Sequence, residues 1–486
     1  MAIPFTQIPA ALLVPGQYQE VDASAAGAVG EIKRALIIAY RSAAGKAPAG
    51  APLRVMAEDR AASLFGHGSP AALMARAFLE LNRVEECHVL PVDAPEAATP
   101  WQRTFAVAGT ALGAGAAAIT VCGRRLDAAA VAQGAAPEAV AAAIVARING
   151  ELWVPVEAAA NGAEVTVRAV VPGAWGNAIT VEVESQADGI VVDAGMPTPG
   201  AQEANIRPLL RALGNVRFHY IASDFTDPAN VLALADELDD RFTAGRQIGG
   251  RAFLALAGEL GTASEPDTIL GRAAGINNPH LVLLPRGDHP ALPGEWSARW
   301  CAAAGRILAD DPAANTSDLL IPGLAPATFP DADTRQAMLM AGVATFRADS
   351  AGNVLAERLV TSFNENSDGG RDTSFLDIQV PETVDAIRSH INAEARRRFG
   401  RWKLASTEEN FGAGALVMTA GVFRAFLCEL YQQEFILRRR WCQDFEGYKN
   451  SLVVEVKAGS KTRLEYRHNP NLIGQFLIGA GKLQFV

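Results

Sequence analysis

The chain has 486 residues, enough for about three domains of ordinary size. Hydrophobic residues make up 49% of it and charged residues 20%, which sets it apart from disordered chains. Its net charge of −10 argues against a general nucleic-acid binder. No apolar run reaches the roughly 20 residues of a membrane helix. The first 20 residues lack a basic start and are broken by Pro4, Pro9 and Pro15, so they do not read as a secretory signal. Five cysteines, Cys87, Cys122, Cys301, Cys428 and Cys442, are scattered without a C-x-x-C pair. That spacing argues against a disulfide framework or a thiolate zinc site. A soluble, multidomain protein of a reducing cytosol is expected.

Residues 1–24 read as an arm, punctuated by proline and glycine and too short for a core of their own. RALIIAY (34–40) has the length and composition of a buried strand. Ser69 and Pro70 then occupy the N-cap and first-turn positions of a helix carrying Leu73, Ala77 and Leu81. CHVLPV (87–92) reads as the next strand.

From 98 to 200 the composition shifts to Ala, Gly and Val. Strand-like AAITVCG, GAEVTVRAVV and NAITVEVES surround one helix signalled by Pro137, Val140, Ile144 and Ile148. This is expected to be an inserted β-rich domain, entered near Thr99 and left near Gly200. The strand–helix rhythm resumes afterwards: a helix at 202–213, a strand at 217–223, and a helix at 228–243 capped by Asp227. A strand at 251–258, a helix at 266–274, a strand at 280–285 and a helix at 294–309 follow. Such alternation favours a mostly parallel sheet with helices on both faces.

Residues 310–372 read as connecting structure, with a mobile loop at 364–372. The last stretch opens with a helix at Pro381 bearing Val384, Ile387 and Ile391. A second helix, 419–441, carries Phe423, Phe426, Leu427, Leu430, Leu437 and Trp441 in phase. Glu434 falls on that apolar stripe without an evident reason. SLVVEVK and TRLEYR then flank 458–461 as a hairpin, and the chain ends on an apolar stretch read as a strand.

Candidate chemistry is thin. GAGAAA (113–118) matches a dinucleotide fingerprint, but a strand follows it where a helix is required. There is no phosphate loop, no zinc-protease pair and no nucleophile elbow, and the seven histidines are dispersed. The cluster Asp236, Glu237, Asp239 and Asp240 reads as a solvated helix face. No enzyme and no cofactor or metal are expected.

The basic residues are unevenly placed. From Thr373 onward there are 16 Lys and Arg against 12 Asp and Glu, so this part carries +4 and the first 372 residues carry −14. The runs RRRFGRWK (396–403) and RRRW (438–441) both lie in it. They are either solvated helix ends or a docking surface for an acidic protein.

Several segments together resemble Mu-like bacteriophage contractile tail sheath proteins. They are IPAALLVPGQYQEVDAS, NNPHLVLLP with EWSARWCAAAGRIL and DDPAANTSDLLIPGL, GVATFRADSAGNVLAERLVTSF, and RRRFGRWKLAS with the run from QDFEGYKNS to the final QFV. They lie in order along nearly the whole chain. The resemblance implies a virion subunit, made and assembled in the bacterial cytoplasm, that polymerises in six-start helical rings around a tail tube. It contracts to drive the tube through the envelope. Partners would be other copies of the chain, the tube protein, and baseplate and tail terminator proteins, without nucleic acid or membrane insertion.

The expected fold class is α/β: a mostly parallel sheet flanked by helices, a β-rich insertion, an α+β C-terminal domain and strand-exchanging arms. The boundaries follow as a linker arm at 1–24, a body at 25–97 and 201–372, an outer insertion at 98–200, a tube-proximal domain at 373–470 and a linker strand at 471–486. Val14, Tyr18, Val21, Leu477, Leu483 and Phe485 would link subunits. Arg438, Arg439 and Arg440 would face the tube first, and Arg396, Arg397 and Arg398 second. A phage-tail-like bacteriocin or related injection system, an α/β enzyme and a glycan-binding protein remain alternatives. The last is disfavoured by only four large aromatics in 98–200: Trp101, Phe105, Trp153 and Trp175.

Overall fold

The computed structural model describes residues 32–287, 289–324, 329–409, 411–412 and 415–484. At its centre is a six-stranded sheet in the order Leu281–Gly287, Arg251–Ala257, Tyr220–Ser223, Arg34–Tyr40, Glu86–Val92 and Leu53–Val55. Neighbours are parallel except the last, which runs antiparallel beside Glu86–Val92.

Side chains alternate between the faces of a strand, so these near-continuous apolar runs must be covered on both sides. Ala35, Ile37 and Ala39 join Phe253, Ala255, Val282 and Leu284 on one face, under the helices Pro70–Leu81 and Pro293–Asp310. Leu36, Ile38, Leu254, Leu256, Leu281 and Leu283 face the other way, under the helices Pro228–Phe242 and Ile269–Ala273. Ser69 caps Pro70–Leu81 by accepting from the Ala72 amide, and Asp227 caps Pro228–Phe242 by accepting from the Asn230 amide. The helix expected at 202–213 is shorter: one α-turn, Arg207–Leu210, followed by the tight turn Arg211–Leu213.

Residues 102–194 hold two antiparallel sheets and the helix Pro137–Asn149. One sheet pairs Gly115–Val121 with Val181–Ser185, Arg124–Arg125 and Ala129–Val131; in the other Gln102–Gly109 lies between Ile190–Ala194 and Glu164–Ala169, with Val156–Asn161 outside. GAGAAA therefore leads into a strand. Thr99 pairs with Ala201, and Gln102 with Thr198, where the chain enters and leaves this region. Gly200 is needed there, because a Cβ would stand 2.3 Å from the Gly173 carbonyl oxygen. The buried side chains of this region are continuous with one face of the central sheet.

One expectation for 310–372 is corrected. The segment contains a three-stranded antiparallel sheet, Leu319–Ile321, Val354–Arg358 and Thr345–Ala348, whose strands are too short to show a clear period. At the start of the 364–372 loop the Asn277 side chain accepts from the Asn364 and Glu365 amides and donates to the Glu365 carbonyl.

The C-terminal residues build a separate core from the helices Gln379–Phe399 and Ala420–Leu430 and their surroundings. This unit is joined to the starting ends of the central strands by buried charges. Asp385, 3% exposed, accepts from both Arg217 and Arg388, and Arg217 also donates to the Ser389 hydroxyl. Arg251, fully buried at the start of its strand, lies 3.3 Å from the Glu382 carboxylate. Arg388 also donates to the Phe242 carbonyl and stacks on that ring. Gly249 leaves room for Asp385, since a Cβ would stand 2.0 Å from a carboxylate oxygen.

Removing one partner of a buried ion pair strands the other charge, so Asp385→Asn is expected to destabilise the protein by about 3 kcal/mol, read from the urea midpoint. A midpoint equal to wild type would show the two units are not held this way. A second expectation concerns Asp224, just past the strand Tyr220–Ser223. Burial, and then the Glu203 and Glu295 carboxylates, push its carboxyl up to about 7 from an ordinary 3.8. The folded state therefore binds more protons than the unfolded chain between those values, and stability falls as pH rises through the window. Asp224→Asn should flatten that slope in urea titrations from pH 4 to 7.5; an unchanged slope would contradict the assignment.

Candidate assembly surfaces

The arginine clusters sit at the ends of the two long C-terminal helices. The helix Gln379–Phe399 finishes with Arg396, Arg397 and Arg398 in its last turn, where cations complement the helix dipole. Arg397 pairs with Glu394 at 2.6 Å, and this hydrogen bond holds the Glu394 carboxyl below the usual carboxylate range. Arg398 bridges Glu394 and Glu429 and lies over the Phe426 ring. Arg396 is exposed and has no ion pair among the described residues. Two of the three guanidinium groups are thus already engaged within the subunit.

The second helix departs from the expected 419–441 span. It is α-helical over Ala420–Leu430 and π-helical over Tyr431–Arg438, where it ends. The wider π-turn changes the phase of the stripe. Leu437 is exposed, while Trp441 lies beyond the helix and returns to the core, stacked on Phe435. Glu434 now has a reason: its carboxylate takes Arg438 at 3.3 Å and Arg439 at 3.5 Å. Arg439 also covers the Trp441 ring, and Arg440 is exposed with φ of 57°. All three therefore cluster on one helix exit beside a single carboxylate.

The segments expected to link subunits follow in sequence. Val453–Val456 and Leu464–Arg467 form the expected antiparallel hairpin. Neither outer edge has a strand partner among the described residues. Its inner face rests on the helix Ala420–Leu430, with Tyr466 against Phe423. After the hairpin, Asn471–Leu472 pairs with Cys442–Gln443, and the Ile473 amide donates to the Trp441 carbonyl.

From 474 to 484 no described residue makes a backbone–backbone hydrogen bond, and no strand forms within the subunit. Phe476, Ile478 and Leu483 are 84%, 80% and 91% exposed, and Leu477 is half-buried. The Gln475 side chain donates through Nε2 to the Ala313 carbonyl at 2.7 Å, tethering the tail's base to the body. Val14, Tyr18, Val21 and Phe485 lie outside the described residues.

One residue was not singled out from the sequence. Tyr431 stacks on Tyr448 at 3.6 Å, donates to the Gln443 carbonyl at 2.6 Å and accepts from the Asn471 amide at 3.0 Å. Burial pushes its phenol up to about 12. Its partners lie 12 and 40 residues away, so no local pattern marks it. Among the described residues no helix is long and apolar enough to cross a membrane.

No protein-family model matches the chain. The Mu-like prophage FluMu tail sheath protein of Haemophilus influenzae is 29% identical over a 496-residue alignment covering all of both chains. Among solved structures, a sheath tail protein of Desulfitobacterium hafniense overlaps 95% of this chain and all of its own, at 13% identity and a TM-score of 0.47. The anti-feeding prophage helical sheath in its contracted state overlaps 97% of this chain and 99% of its own, at 13% identity and a TM-score of 0.46. Overlaps this loose carry no functional weight. The full-length sequence match does, and it agrees with the segments quoted at the outset: along its entire length the chain is a homologue of a Mu-like prophage tail sheath protein.

Proposed function

We propose that the chain is the repeating subunit of a contractile tail sheath, a virion tail component that polymerises helically around a tube and shortens to drive it through a bacterial envelope. The observation that carries this is the end-to-end match to a tail sheath protein, which leaves no stretch of either chain unaccounted for. The reading extends to residues 98–200 as an outward insertion and 373–470 as the tube-proximal unit. Baseplate and terminator proteins would meet the ends of the polymer.

The physical support lies at the C-terminus. Among the described residues, an apolar tail makes no backbone–backbone hydrogen bond, and a hairpin in the same C-terminal unit has no strand partner on either edge. An extended segment adds to such an edge through main-chain hydrogen bonds, and alternate side chains set the register. A donor on one copy and an acceptor on the next make a heterologous contact, which propagates as an open helix. Subunits linked in this way can turn as rigid bodies while the links persist. The basic clusters would meet an acidic tube surface through exposed charge pairs, each contributing about 0–1 kcal/mol and releasable together.

Deleting residues 475–486 should leave a soluble subunit within about 0.5 kcal/mol of wild type, because the side chains of 475–484 are largely exposed. Electron microscopy should then show no long tubes; tubes of normal length would overturn the strand-linking reading. Changing Arg438, Arg439 and Arg440 together to Glu should lower the yield of tube-filled sheaths more than that of tube-free polymers. An unchanged yield would remove that surface from the tube contact.

A further inference from the structure

The exit of the second long helix is unusual in two ways. The segment Tyr431–Arg438 is π-helical, a form that is rare and concentrates at functional sites. The chain then passes through two non-glycine residues in the left-handed region, Arg440 at φ 57° and Asp444 at φ 55°. Such residues persist only where their surroundings hold them.

Here the surroundings connect two separate surfaces. On one side Glu434 receives Arg438 and Arg439, and Arg439 lies 4.7 Å over the Trp441 ring. On the other side the Trp441 carbonyl accepts the Ile473 amide, and the Trp441 indole donates to Asp311 of the body at 3.0 Å. Tyr431, at the start of the π-segment, fastens the Gln443 carbonyl and the Asn471 amide together. Everything between the arginine cluster and the base of the tail is therefore in direct contact.

We propose that residues 431–444 couple the arginine cluster at 438–440 to the root of the C-terminal tail, with Tyr431 as its positioning residue. The coupling takes this form. An acidic partner surface that draws Arg438 and Arg439 away from Glu434 also uncovers Trp441, whose carbonyl holds Ile473. Going from π to α spacing shortens the hydrogen-bonded span by one residue and shifts all that follows Arg438, so two discrete arrangements are available to the segment. A contact made at the cluster is thereby read at the linker. The role in assembly rests on the sheath reading above, but the coupling itself belongs to the isolated subunit and is measured there.

The test is amide hydrogen exchange in the dilute full-length chain. Tyr431→Phe keeps the ring stacked on Tyr448 and removes both phenol hydrogen bonds. Arg439→Gln keeps a polar, unbranched stem, two atoms shorter, and removes the charge. Each should speed exchange at 471–473 by about ten-fold, with the hairpin 453–467 and the helix Gln379–Phe399 unchanged. Arg440→Gly, which eases the left-handed turn, should slow exchange at the same amides. Two results overturn the proposal: Arg439→Gln leaving 471–473 at the wild-type rate, or exchange rising uniformly through the C-terminal unit in all three variants.

Discussion

Backbone N–H and C=O groups that are not paired with each other must be paired with something else. Among the described residues, those of 474–484 make no backbone–backbone hydrogen bond, and the hairpin Val453–Val456 and Leu464–Arg467 has no strand partner on either edge. An exposed apolar segment beside open edges is an aggregation hazard in a monomer. In the proposed sheath it would be the means of assembly, one copy supplying what the next one lacks.

The remainder of the fold makes such links useful. Asp385 and Glu382 hold the helix Gln379–Phe399 against Arg217 and Arg251 at the starting ends of the central strands, and Arg388 of the same helix also donates to Asp385. A buried charge network of this kind is costly to break, so the unit carrying the hairpin and the tail should move with the body. The tail's base is fixed separately, by Gln475 to Ala313 and by Ile473 to Trp441. In the proposed sheath, the anchored residues up to 475 would belong to the turning body and the exposed residues after them to the link.

How much of this was legible depended on how local each feature was. Ser69 before Pro70 and Asp227 before Pro228 act within four residues, and both helix starts were read correctly. The hairpin was legible for the same reason. The helix 419–441 was misread because its stripe was tested against a 3.6-residue period that stops at Leu430; Glu434 off-pattern was the visible sign of the π-segment. The alternation at Leu483 gives apolar character to the tail without showing that residues 474–484 make no backbone–backbone hydrogen bond among the described residues. The Arg217–Asp385 pair joins residues 168 apart, and Tyr431 reaches Asn471 across 40, distances at which a single sequence carries no signal. The arginine runs were legible as runs, but not that Glu394, Glu429 and Glu434 already hold four of the six guanidinium groups.

The central claim is that one copy's unpaired backbone completes the next, so that assembly is open-ended. Electron microscopy of the purified full-length chain over a range of concentrations tests it most directly. The account predicts tubular polymers whose length grows with concentration. Discrete particles of fixed subunit number, or monomers at every concentration, would contradict it.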